Sequence, residues 1–112
     1  MARLSTHVLD TANGRAAKGM EVRLYGCKGG SRQLLKAATT NADGRTGEPL
    51  LAGESLETGV YELVFCVAEY FGSQGIPFLG EVVVRFGIED GAANYHVPLL
   101  VTPYGYTTYR GS

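Results

Sequence analysis

Met20-Glu21-Val22-Arg23-Leu24-Tyr25 alternates apolar and polar side chains without interruption. Successive side chains of an extended strand point to opposite faces, so Met20, Val22 and Leu24 share one face, and Glu21, Arg23 and Tyr25 share the other. The first set meets a core. Comparable runs of β-branched and aromatic residues recur at 4–10, 34–40, 61–67, 82–86, 95–102 and 106–109. With a short piece near Thr46, about eight strands are expected.

The residues between these runs suit turns: Asn13-Gly14, Gly29-Gly30, Asp43-Gly44 and Pro103-Tyr104-Gly105. Short connections favour antiparallel neighbours, and the pattern predicts an all-β antiparallel sandwich of two sheets. The exception is Ala68-Glu69-Tyr70-Phe71 before Gly72, where Ala and Glu favour a helix and glycine ends it, so one short helix is expected there. No repeat, low-complexity stretch or composition shift divides the chain. Residues 1–112 are expected to form a single domain, and 45% hydrophobic content is enough to fill one core.

Ten basic residues oppose eleven acidic ones with no basic run, which argues against nucleic acid as a partner. A domain this small leaves much surface exposed, so self-association is expected to bury more of it. Cys27 and Cys66 are too few for a disulfide framework and are expected as free thiols. The sequence opens into patterned residues at Leu4 with no apolar leader and has no run of membrane-spanning length. Its last residues, Arg110-Gly111-Ser112, are not a peroxisomal address, so the expectation is a cytoplasmic protein with no membrane association.

The chain has two histidines, His7 and His96, each inside an expected strand. Alternation puts Tyr95, Val97, Leu99 and Val101 on one face and His96, Pro98 and Leu100 on the other. A strand histidine taken alone is more often a structural hydrogen-bonding residue than a catalyst. The surrounding residues alter that balance. Leu4-Ser5-Thr6-His7-Val8-Leu9-Asp10-Thr11, Asp43-Gly44-Arg45, Tyr95-His96-Val97-Pro98-Leu99-Leu100 and the closing segment from Tyr104 to Ser112 together resemble the 5-hydroxyisourate hydrolase family of transthyretin-like proteins. The terminal Tyr109-Arg110-Gly111-Ser112 is similar to that family's C-terminal signature. Departures are local: Asn94 stands where histidine is common, Thr107 replaces a frequent serine, and the segment from Phe78 to Val82 lacks a frequent proline.

The resemblance implies a transthyretin-like sandwich, a homotetramer with active sites between subunits, and 5-hydroxyisourate as substrate with no cofactor. It carries His7, Arg45 and His96 over as catalytic residues, with His7, Arg45, Tyr109 and Ser112 binding substrate. Hydrolysis of a ring amide needs a base for the attacking water. Imidazole suits that task because its pKa of about 6.5 leaves it largely neutral near pH 7. His7 is the expected base, and His96 shares proton transfer. Arg45 is expected to stabilise charge on the carbonyl oxygen through its planar guanidinium. Tyr109 offers a flat face to a flat heterocycle, and Arg110 either binds substrate or anchors the terminal strand.

Two histidines without further ligands do not make a closed zinc site, and no metal is expected. No Gly-x-Ser-x-Gly turn is present, and Ser112 has no assigned base, so covalent catalysis there is not expected. The competing class is a hormone carrier on the same fold, because fold alone does not determine function. A carrier has no need of two histidines, Arg45 and the terminal tetrapeptide, and a purely structural sandwich explains none of the four motifs.

Overall fold

The computed structural model describes residues 1–112. Strand β4 (Glu21–Lys28) contains most of the alternating run, and Met20, Val22 and Leu24 are completely buried as the pattern requires. Each fully buried aliphatic side chain contributes roughly 1.5–3 kcal/mol. β4 lies between β5 (Ser31–Thr39) and β7 (Gly59–Phe65), and β8 (Val82–Ile88) completes a four-stranded antiparallel sheet of order β5-β4-β7-β8. Gly29 and Gly30 join β4 to β5 with φ of 56° and 81°, left-handed values that a tight hairpin demands.

The opposing layer begins with β1 (Ala2–Ser5), β2 (Val8–Asp10) and β3 (Arg15–Ala16). It is completed by β6 (Leu51–Gly53), β9 (Tyr95–His96), β10 (Leu99–Thr102) and β11 (Gly105–Thr108), in the orders β6-β1-β9 and β11-β10-β2-β3. These are two halves of one sheet. Leu4 faces Tyr95, Ser5 faces His96, and beyond the break Val8 faces Leu99 at the same offset. Val97 and Leu99 amides donate to the Ser5 and His7 carbonyls across the join, both at 2.9 Å. The sandwich is thus as expected, with one refinement: the first and last long runs pair in parallel within an otherwise antiparallel molecule.

Other differences have local causes. The runs at 4–10 and 95–102 are each split, because Pro98 has no amide to donate and the Val97 carbonyl accepts from the Thr6 hydroxyl at 2.6 Å. The strand expected near Thr46 is instead a turn, in which the Thr46 hydroxyl donates to the Glu48 carbonyl at 2.6 Å and the Glu48 amide donates back to Thr46. The strand in that region is β6, paired with β1. With the short β3, about eight expected strands become eleven.

Helix α1 (Val67–Phe71) ends at Gly72 with φ 68° and ψ 40°, where the expected helix was placed. The Tyr70 hydroxyl docks it by donating to Asp10 of β2 at 2.7 Å. The core between the layers packs Met20, Val22, Leu24, Leu63 and Phe65 against Leu4, Val8, Leu99 and Val101. Cys27 and Cys66 are free thiols, as expected.

Candidate active site

Because β1, β2, β9 and β10 turn Leu4, Val8, Tyr95 and Leu99 inward, the same alternation turns Ser5, His7 and His96 outward, where His7 and His96 are half-buried. His7 sits at the join between β1 and β2, where its carbonyl still accepts from Leu99. Arg45 follows a tight turn pinned to the same place: the Val8 amide donates to the Gly44 carbonyl at 2.8 Å. Gly44 has φ 76°, and a Cβ there would lie 2.3 Å from the Val8 carbonyl oxygen. Asn41 holds the rest of the turn, its side-chain oxygen accepting from the Asp43 and Arg45 amides at 2.9 and 3.2 Å, while its backbone amide donates to the Arg45 carbonyl.

Nδ1 of His96 lies 2.8 Å from the Ser5 hydroxyl, its register partner across the parallel strands. Burial pushes the imidazole below its ordinary 6.5, and the Arg45 guanidinium and His7 push the same way, opposed by a backbone hydrogen bond to Ser5. A neutral His96 is therefore the dominant form at neutral pH. Beside it, Arg3, Ser5, Thr6, Arg45, Thr46 and Glu48 help line a largely polar cleft of about 260 Å³.

The chain end closes the other side of His96. The Gly111 amide donates to the His96 carbonyl at 2.7 Å, and a Cβ on Gly111 would come within 2.6 Å of His96 Cδ2. Arg110 latches this tail, with its guanidinium 4.2 Å from the Tyr95 ring centroid and a hydrogen bond to the Asn94 carbonyl at 3.3 Å. The anchoring alternative for Arg110 is thus the one the geometry favours. Ser112 follows Gly111 directly in sequence.

Of the residues singled out in the sequence, His7, Arg45 and His96 come together, while Ser112 is placed only through its neighbour Gly111, which donates to the His96 carbonyl. Tyr109 does not join them within one chain. It lines a separate groove of about 380 Å³ with Phe86, Tyr95 and Arg110, which shares no wall residue with the Arg45 cleft. Ser5, Asn41 and Gly111 were missed as parts of the site. Ser5 was accessible from strand parity, since it shares a face with His7. The roles of Asn41 and Gly111 depend on long-range packing and had no sequence signal.

Two imidazoles and a guanidinium on an open sheet face, with a neutral histidine available to accept a proton, make a site suited to water addition at a polarised carbonyl. A sandwich carrying this site belongs to the transthyretin-like class. More particularly, the chain belongs to the HIUase/transthyretin family, whose model matches residues 4–111. It is 52% identical over 115 aligned residues to 5-hydroxyisourate hydrolase 2 of Rhizobium meliloti, covering 98% of this chain and 96% of that protein. The solved 5-hydroxyisourate hydrolase of Klebsiella pneumoniae superposes with a TM-score of 0.83 at 33% identity, over 100% of both chains. An (S)-allantoin synthase superposes with a TM-score of 0.91 at 41% identity over 99% of this chain, which spans 44% of that longer protein.

Proposed function

We infer that this protein is an enzyme that hydrolyses 5-hydroxyisourate, adding water to a ring amide to give the ring-opened ureidoimidazoline carboxylate on the path from urate to allantoin. The observation that carries this reading is the convergence of His96, Arg45 and His7 on one outer sheet face, with His96 kept neutral. Identity above half over nearly the full length of a 5-hydroxyisourate hydrolase supports the same substrate. Arg45 binds the substrate and stabilises the developing oxyanion. His7 and His96 handle the proton lost by water and gained by the departing ring nitrogen. The carbonyl, guanidinium and imidazoles suffice for this hydrolysis without a redox step.

Tyr109 and Ser112 complete substrate binding. Since Tyr109 faces a groove away from Arg45 of its own chain, the reading assigns Tyr109 to a cleft formed with another copy, within a homotetramer. No helix is long and apolar enough to cross a membrane. A cytoplasmic site of action fits the two free thiols.

The test is the decay of 5-hydroxyisourate, generated in place from urate by an oxidase, with and without the protein. Decay well above the spontaneous rate is expected for the wild type. Folded His7→Ala and His96→Ala variants should each lose roughly 10²- to 10⁴-fold in turnover. Unchanged decay with correctly assembled wild type would overturn the reading, and the hormone-carrier alternative would replace it.

A further inference from the structure

We propose that Ser5 is a positioning residue that holds the His96 ring with its proton on Nδ1, leaving the Nε2 lone pair as the working base. The proposal deepens the hydrolase reading and rests on it for its catalytic part. It starts from register. Ser5 and His96 are directly opposite on parallel strands and turn outward together, so the hydroxyl and imidazole meet without either side chain leaving its strand. The hydroxyl lies 2.8 Å from Nδ1.

A hydroxyl alone leaves the tautomer open, because it donates or accepts equally well. Access to the site breaks the tie. Nδ1 is engaged by the Ser5 hydroxyl, so Nε2 is the ring nitrogen open to substrate, and it accepts a proton from water only when it is bare. The ring proton then sits on Nδ1 and is donated to the Ser5 hydroxyl oxygen. On the opposite side, Cδ2 meets the Gly111 backbone so closely that no Cβ is tolerated there, which resists rotation of the ring. With Nδ1 engaged, Nε2 is the nitrogen left for substrate or water.

The charged and titratable groups acting on His96 are Arg45 from the 41–45 turn and His7 from the strand join, and both disfavour the imidazolium. No carboxylate is among them. Ser5 thus orients the ring as a carboxylate does in other hydrolases, without the negative charge that would raise its basicity. His96 stays neutral and ready at neutral pH. As the water oxygen bonds to the ring carbonyl carbon, its proton passes to Nε2. When the carbon–nitrogen bond breaks, the same proton passes to the departing nitrogen, and the neutral Nδ1–H form returns. The base role expected for His7 moves to His96, and His7 orients water or substrate.

The experiment pairs nitrogen NMR of the His96 ring with kinetics on Ser5→Ala and Ser5→Thr. In the substrate-free wild type, the Nδ1–H tautomer is expected at pH 7.5, roughly one unit above the ordinary imidazole pKa. Ser5→Ala should shift the population toward Nε2–H and lower kcat by roughly tenfold or more with little change in KM, while Ser5→Thr restores both. The acid limb of kcat/KM should lie below 6.5 in the wild type and move in Ser5→Ala, a change that loss of packing alone does not produce. An Nε2–H wild type, a Ser5→Ala variant with unchanged tautomer and kcat, or an acyl group trapped on Ser5 would overturn the proposal. The NMR result needs no substrate. It therefore decides the tautomer even if Ser5→Ala does not fold or if the wild type leaves 5-hydroxyisourate decay unchanged.

Discussion

Asp10 is 1% exposed, yet its carboxylate accepts from the Asn13 amide at 3.0 Å, the Asn13 side chain at 2.8 Å and the Tyr70 hydroxyl at 2.7 Å. Burial raises its pKa, but these hydrogen bonds together with one from the Ala12 backbone outweigh burial and hold it below 3.8. Since the folded value is the lower one, the ionised carboxylate stabilises the fold above the unfolded value, and that stability is lost as pH falls through 3.8 toward the folded value. Tyr70→Phe removes one partner and raises the folded pKa. It should cost about 1–3 kcal/mol in urea unfolding at pH 7 and move the acid-unfolding midpoint to higher pH. An unchanged acid midpoint would show that Tyr70 packs without holding the charge. The burial of Asp10 was not legible locally, because Asp before Asn13-Gly14 reads as an ordinary turn residue.

At the scale of elements, the turn carrying Arg45 shows how a loop gains the precision of a strand. Its conformation is held by Asn41 from within and by the Val8–Gly44 hydrogen bond from without. Gly44→Ala strains a left-handed residue and drives a methyl into the Val8 carbonyl, so Arg45 must shift relative to His7. The variant should be destabilised by about 1–3 kcal/mol and lose kcat/KM for 5-hydroxyisourate at least tenfold. A variant that is destabilised but fully active would mean that Arg45 tolerates displacement. Elements dictated by neighbouring residues were legible: β4 from its alternation, the Gly29-Gly30 hairpin, and α1 with its Gly72 cap. The breaks after Ser5 and His96 were not. They arise where Thr6 and Pro98 interrupt the same ladder from two strands far apart in sequence.

Across the whole molecule, the interior faces of two layers enclose the core, and the candidate site lies on the outside of one of them. Such a site is open to solvent in a single chain, and Tyr109 belongs to a different groove from Arg45. If another copy completes the cleft, the mass in solution should be four times the 12.0 kDa chain. Mixing inactive Arg45→Ala and Tyr109→Ala proteins under conditions that exchange subunits should then restore part of the activity, because some clefts regain both residues. Failure of mixed assemblies to recover any activity would place Tyr109 and Arg45 in one chain's cleft.

Legible in the sequence alone were the all-β class, the inward and outward faces of β4 and of the run from Tyr95 to Val101, and the residue types of the candidate site. Those properties follow from side-chain alternation, turn chemistry and motif identity along the chain. Tertiary structure alone decided that Ser5 meets His96, that Gly44 is fastened to Val8, that Gly111 lies against the imidazole, and that Asp10 is a buried anchor for the helix. Each depends on pairing register between segments up to 91 positions apart. Local sequence specifies which way a strand residue points, but the residue it meets is chosen by the cooperative packing of both layers.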